Sequence, residues 1–373
     1  MSPRTLRLLD LYTDYLLVSF GQTTATGLAA LLPDLSHDQV TRFLSKQALT
    51  EKDLWRLVKP QLRQIQSEEA VLILDDSIEE KPYTDASELI CTHFDHVTGR
   101  YVKGINLLSC LYFAPHKGQG NEQNNTQGIS LPINFHLIQK TELTTDPKTG
   151  KEKWQSPRTK NEIAREMIAS AIQRQIPFRY VLNDIWFASV ENMIFIKGKK
   201  KDFIMPLKSN RKVALSAIDK KQGKWQPISS LLFDTNAPLT VHLERVPFAL
   251  LLSRHVFTNE DGSQSIAYLV TSDLSLSSSS MTTIYQKRWK VEEYHKSLKS
   301  NAAFAKSPTK RVRTQSNHFF ACLVAFVKLE TYRVRTTLNH FALKGKLYQA
   351  ALASAFRELQ ILKATCQAVP ITS

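Results

Sequence analysis

The chain has 373 residues, enough for a large core and more than one domain, and its 42% hydrophobic and 22% charged residues are those of a soluble globular protein. Lys and Arg number 49 against 34 Asp and Glu, and the net charge of +15 points to a polyanionic partner, above all nucleic acid. The apolar run 319–327 falls far short of the roughly 20 residues of a membrane span, and the first residues lack the apolar stretch and cleavage site of a signal peptide. Cys91, Cys110, Cys322 and Cys366 form no Cys-x-x-Cys pair and read as buried thiols, so the expected setting is the reducing cytoplasm.

Residues 1–65 read as helical. A short apolar helix over 26–33 ends at Pro33, and Ser36 with Gln39 makes a capping box ahead of Val40, Phe43 and Leu44 at helical spacing. This pair has the form of a helix-turn-helix, with His37, Gln39, Arg42 and Lys46 facing outward to DNA.

The continuous apolar run 70–74 then stops at Asp75-Asp76-Ser77, as a buried central strand does when it delivers carboxylates at its end. Strand alternation lets only one of Asp75 and Asp76 face a common site, and the choice stays open at this point. Two further strands are expected over 101–113 and 129–139, joined by a polar, mobile loop over 115–128. A helix over 161–175 carries Ile163, Met167, Ile168, Ala171 and Ile172 on one side and leads to a second apolar strand, 178–184, which again stops on an acid, Asp184.

After it come Lys197, Lys199, Lys200, Lys201, Lys208, Arg211 and Lys212, opposed only by Asp202, a group suited to phosphate contacts that carry no sequence information. Residues 208–265 turn strand-rich, with short strands at 239–243 and 248–252 and turn signals at Asn236 and Asn259. A buried-type strand returns at 266–271. A serine run introduces a helix over 285–299, a connector with Lys310, Arg311 and Arg313 follows, then an apolar helix over 317–335 and a last amphipathic helix. Cys91, His93 and His96 lack a fourth partner for zinc, and His242, His255 and His340 carry no signal.

Within 285–299, Tyr285, Arg288, Glu292 and Lys299 share an arc of about 60° at about 100° per residue. One helix face thus presents an aromatic hydroxyl, a guanidinium, a carboxylate and an ammonium. Glu292 joins Asp75 and Asp184 as a third acid, at spacings of 109 and 108 residues. Three carboxylates brought together can hold two Mg²⁺ or Mn²⁺ ions, which suit phosphodiester cleavage without a covalent enzyme nucleophile.

Tyr285-x2-Arg288-x3-Glu292-x6-Lys299 resembles, position for position, the YREK signature of bacterial insertion-sequence DDE transposases of the cut-and-paste type. Asp75-Asp76-Ser77 is similar to that family's first-aspartate motif, and Asp184 stands in the context of the second. The resemblance covers roughly residues 65–340. It implies an α/β, RNase H-like mixed sheet flanked by helices, interrupted by a β-rich insertion, with a helical N-terminal domain.

On this reading 1–65 is a helical DNA-binding domain, 66–207 and 266–340 form the catalytic core, 208–265 is the insertion and 341–373 a helical tail. The resemblance implies that Asp75, Asp184 and Glu292 bind Mg²⁺, with Mn²⁺ a substitute. Tyr285, Arg288 and Lys299 would then hold DNA phosphates, while Trp289, on the same helix, either stacks on a flipped base or packs into the core. It further implies nicking, a hairpin intermediate and strand transfer, acting on terminal inverted repeats and target DNA. The enzyme would work as a homodimer in the synaptic complex, in the cytoplasm at the nucleoid. With only 341–373 beyond the core, no large C-terminal dimerisation domain is expected. The rivals are a nuclease with the same core that cuts without joining, and a silent DNA-binding protein, which has no need of three acids in this order.

Overall fold

A computed structural model describes residues 1–95, 98–115, 128–145, 149–234, 237–258 and 262–368. Most of the polar loop over 115–128, His96 of the Cys–His trio, and the turn residues Asn236 and Asn259 lie outside the described residues. The chain forms two compact units, Glu51–Tyr294 and a second made of Met1–Thr50 with His295–Ser373.

The larger unit is built on a mixed sheet. Its first strand, β1 (Val71–Glu80), continues through the acids that the apolar run stops at. Burial fades at Asp76 but pairing does not, because β3 (Arg100–Ala114) runs antiparallel to β1 from Val71↔Phe113 to Glu80↔Gly104. The other side of β3 pairs with β2 (Cys91–Asp95) along its first residues and with β4 (Ile129–Leu137) along its last. After the small hairpin β5 (Glu142–Thr145) and β6 (Glu152–Gln155), helix α5 (Lys160–Gln173) starts on a capping box of Thr159 and Glu162. It leads to β7 (Tyr180–Asn183), which lies parallel to β1, with β8 (Asp202–Leu207) parallel to β7. The central order β4-β3-β1-β7-β8, with two antiparallel and two parallel neighbours, is the RNase H-like arrangement.

The strand-rich stretch does not make a separate sheet. Its strands β9 (Lys212–Ala214), β10 (Gln226–Pro227), β11 (Leu239–Leu243), β12 (Leu250–Thr258) and β13 (Gln264–Thr271) extend the central one. β13 pairs antiparallel with β8, and the order runs outward through β12, β11 and β9 to β10. Helix α4 (Glu51–Ile65) packs on β4, α5 on β3 and β4, and α6 (Val190–Gly198) on β8. Val71, Leu72, Ile73, Val181 and Leu182 are completely buried between these layers, as the apolar runs predict for strands covered on both faces.

The second unit is helical: α1 (Pro3–Val18), α2 (Ala25–Leu31), α3 (His37–Lys46), α10 (Val312–Thr336) and α11 (His340–Ala368). The Ser36–Gln39 capping box forms in both directions. Its core is α10, with Phe319, Phe320 and Leu323 fully buried. The Asn317 amide donates to the carbonyls of Leu44 in α3 and of Gln47 just beyond it, and Tyr12 of α1 meets His318 Nδ1 at 2.9 Å.

Gly104 sits where β1, β2 and β3 converge, and a Cβ there would collide with the Glu79 carbonyl oxygen. Gly104→Ala is expected to lower stability by about 1–3 kcal/mol in urea unfolding. Gly198→Ala at the end of α6, where nothing lies within 4 Å, is expected to be neutral or stabilising.

Candidate active site

The parallel ladder of β1 and β7 pairs Leu74 with Asn183, so the next residue on each chain is an acid, Asp75 and Asp184. Asp184 caps a single tight helical turn, Ile185–Phe187, its Oδ1 accepting the N–H groups of Trp186 at 3.0 Å and Phe187 at 3.3 Å. Asp75 lies opposite Ser109 on β3, and Ser109 Oγ meets the Tyr294 hydroxyl at 3.1 Å. Tyr294 belongs to α9 (Trp289–Asn301), so this helix starts over the sheet face that carries Asp75. Asp76 points to the other face. Its Oδ2 accepts from Lys160 Nζ, at the start of α5, at 2.7 Å and from Asn106 Nδ2 at 2.8 Å. Alternation thus sends Asp75, not Asp76, to Glu292.

Carboxylate oxygens of Asp75 and Glu292 come within 4.8 Å of each other, although 217 residues separate them. Arg288 lies between them, its Nη1 3.5 Å from Asp75 Oδ2 and 3.2 Å from Glu292 Oε1. The three acids do not all come within 4.8 Å of one another; Asp184 reaches Asp75 through its charge. Burial, then repulsion from Asp184, pushes the Asp75 carboxyl up to about 8, against the pull of Arg288. Burial and the charge of Asp76 raise Asp184 as well, opposed by its two backbone N–H bonds. Oxygen donors that repel one another, one buried (Asp75), one half-buried (Asp184) and one more exposed (Glu292), with one nearby guanidinium, fit a hard divalent cation.

The helix expected over 285–299 is two helices. α8 (Ser278–Gln286) ends at Lys287, and α9 starts at Trp289. The N–H groups of Lys287, Arg288, Lys290 and Val291 all bond three residues back, to Ile284, Tyr285, Lys287 and Arg288, so the chain is wound more tightly here than in an α-helix. The joint changes the phase of the stripe. Arg288 turns to the acids, while the Tyr285 hydroxyl donates to the Asn183 carbonyl at 3.1 Å and braces the end of β7 beside Asp184. Lys299 is exposed, two turns beyond Glu292 on α9. Trp289 is 63% exposed, more than a core-packing role would leave, and the Arg288 guanidinium lies 5.8 Å from its ring centre.

Sequence reasoning missed several neighbours. Lys160 and Asn106 fix Asp76, and nothing in a spacing of 84 or 30 residues announces them. His295, buried one turn beyond Glu292 on α9, was legible as a Glu-x-x-His spacing that puts both on one helix face. Trp186, half exposed two residues after Asp184, was legible only once the turn was known.

The lysine group after the second strand divides. Lys197 is tied to Asp202 at 2.6 Å and Lys201 to the Phe178 carbonyl at 2.6 Å, whereas Lys199, Lys200, Lys208 and Lys212 are exposed. In the helical unit, α3 and the basic connector line one cavity of about 470 Å³. Thr41, Ser45, Thr309, Lys310 and Arg311 are among its residues, and no acid is.

This sheet order, with acids gathered where its central parallel pair ends, defines an α/β protein with an RNase H-like DDE fold. Residues 3–227 match the family described as DDE superfamily endonuclease, and residues 136–327 match the family described as Transposase DDE domain. The chain belongs to this superfamily of DDE endonucleases and transposases, and is a nuclease-type enzyme. The first match takes in Asp75 and Asp184, the second Asp184 and Glu292. No curated protein matches the chain. Among the described residues no helix is long and apolar enough to cross a membrane.

The raised Asp75 carboxyl has a consequence for stability. The folded chain holds this proton more tightly than the unfolded chain, where the ordinary value is 3.8. The contribution of Asp75 to stability therefore falls as pH rises from about 4 to about 8 and levels off above that. In chelator, Asp75→Asn is expected to flatten this fall and to melt several degrees above the wild type at pH 8, as measured by scanning calorimetry. Mn²⁺ should raise the wild-type midpoint at pH 8 and leave that of Asp75→Asn nearly unchanged.

Proposed function

We propose that the chain is a DNA transposase that cleaves and joins phosphodiester bonds at the ends of its own insertion sequence, with Asp75, Asp184 and Glu292 as ligands of two metal ions. The observation that supports it most is the meeting of Asp75 and Glu292 across 217 residues of chain, beside the charge of Asp184, in a member of the DDE superfamily. Mg²⁺, or Mn²⁺ in its place, would supply activation of a water or a 3′-hydroxyl and stabilise charge on the leaving oxygen.

The chain's own groups do the remaining work. Asp184 spends Oδ1 on its helical turn, and its other carboxylate oxygen would be the one to hold the metal. Arg288 is 16% exposed and already desolvated; its fork spaces Asp75 from Glu292 and presents its other N–H groups to a phosphate at the cleaved end. Tyr285 holds the strand end that carries Asp184 and closes the phosphate-binding group, which Lys299 extends along α9. Trp289 gives an exposed ring for a base turned out of the stack as the end folds into a hairpin. The α2–α3 pair and its acid-free cavity hold DNA phosphates at the terminal repeats. The setting is the cytoplasm, at the nucleoid. The endonuclease description of the first matched family favours one rival, an enzyme that cuts without joining.

Duplexes with labelled element ends, incubated with the protein and Mg²⁺, test this reading. Asp75→Ala, Asp184→Ala and Glu292→Ala should each lower cleavage more than about 100-fold. If all three leave it unchanged, the site is misplaced. Joined products distinguish a transposase from a nuclease. Trp289→Ala should slow hairpin formation by about 5- to 150-fold, the worth of one stacked base, while first-strand nicking continues.

A further inference from the structure

Helix α9 brings a further side chain to the carboxylates. His295 follows Glu292 by one helical turn, on the same face, and is 7% exposed. A ring nitrogen of His295 and one carboxylate oxygen each of Asp75 and Glu292 all lie within 4.8 Å of one another. Asp184 is not part of that set. Among the described residues, no other three His, Cys, Asp or Glu side chains come together so closely. The fold therefore gathers two oxygens and a nitrogen, where the sequence announces three oxygens. The packing of α9 explains this aim. Val291 and Tyr294 are buried, and the Tyr294 hydroxyl is tied to Ser109 Oγ on β3. That sets the rotation of the helix, and Glu292 and His295, each one residue further on, are turned to a common side.

An imidazole differs from one more acid in two ways. It offers a lone pair without adding negative charge, and repulsion from Asp184 and Glu292 already acts on Asp75. It is also a softer ligand than a carboxylate. Mg²⁺ keeps to oxygen ligands and gives up water reluctantly, whereas Mn²⁺ accepts imidazole beside carboxylates. Glu-x-x-His on one helix face is the pair with which di-iron and di-manganese carboxylate bundles hold their metals.

We propose that His295 is a nitrogen ligand of one of the two metal ions, which makes the two positions unlike. The position of Asp75, Glu292 and His295 takes Mn²⁺ in preference to Mg²⁺. The position of Asp75 and Asp184 has only oxygen ligands and takes either ion. The inference rests on the reading of the three acids as metal ligands, and its test separates the two.

Mn²⁺ alone, added to the full chain without DNA, is the probe, and pulsed electron paramagnetic resonance is the readout. The bound ion should show the spin-echo modulation of a directly coordinated nitrogen. Protein made with ¹⁵N-labelled histidine should convert that pattern to the ¹⁵N one, a measurement that needs no variant. His295→Gln, with its fold checked by melting in chelator, should lose the nitrogen signal. It should also weaken Mn²⁺ binding at least about 10-fold, the least that loss of a ligand's outer partner costs. Mg²⁺ binding, measured by competition, should change less than about 3-fold. Equal losses for the two ions would remove the difference between the positions. Mn²⁺ that binds wild type and not Asp75→Asn, yet shows no nitrogen, overturns the role of His295 and leaves the acids as ligands. A nitrogen signal that persists in folded His295→Gln belongs to another histidine and overturns it as well. Mn²⁺ that binds Asp75→Asn as tightly as wild type, or binds neither, overturns the reading of the acids and this inference together.

Discussion

Two carboxylates held where the parallel pairing of β1 and β7 ends repel each other, and the rest of the larger unit is arranged around keeping them there. The ladder from Val71↔Tyr180 to Leu74↔Asn183 leaves no freedom in where Asp75 and Asp184 fall. Its strands are covered on both faces, so a register slip would carry every buried side chain of β1 to the wrong face. The repulsion is therefore sustained by hydrophobic burial along the ladder. It emerges as the high Asp75 value, with burial and Asp184 its two largest causes. A buried acid so disposed is poorly suited to being a bare carboxylate and well suited to meeting a cation.

Arg288 is the local answer, and it depends on a small irregularity. In an unbroken helix its guanidinium would follow Tyr285 and Glu292 on a common stripe. The tight turn between α8 and α9 frees each to do something different. Tyr285 fastens the β7 end, Arg288 spans two acids that approach from sheet and helix, and Trp289 faces solvent. A mid-helix run of three-residue bonds is a common place for a functional joint. Here it converts a linear signature into a three-dimensional clamp.

Much of this was legible in the sequence, for physical reasons that can be stated. The apolar runs before Asp75 and Asp184 mark strands covered on both faces, and Ser36 with Gln39 marks a helix start, because each rests on local pattern alone. What could not be read depends on partners distant in sequence. The choice between Asp75 and Asp76 needed the sheet's faces, supplied by Ser109 with Tyr294 on one side and Lys160 with Asn106 on the other. The length of β1 beyond the acids needed β3, whose Gly104 still pairs with Glu80 after burial has faded. The helix joint had no Pro or Gly to announce it. Its cause lies in what Tyr285 and Arg288 bond to.

The strand-rich insertion shows the same economy at the level of the sheet. Had β8 been the last strand, its open edge would have lain one strand from Asp184 and two from Asp75, exposed to pairing with another chain. Instead β13 covers it, and the sheet continues to β10, a two-residue strand in which Pro227 has no N–H to offer a further neighbour. Because the insertion is hydrogen-bonded into the sheet that carries Asp75 and Asp184, its basic residues Lys208, Arg211 and Lys212 ride on a rigid extension of the site. Phosphate contacts hold a duplex in register only if they cannot move against the groups that cut it. A continuous sheet supplies that rigidity where a tethered domain would not.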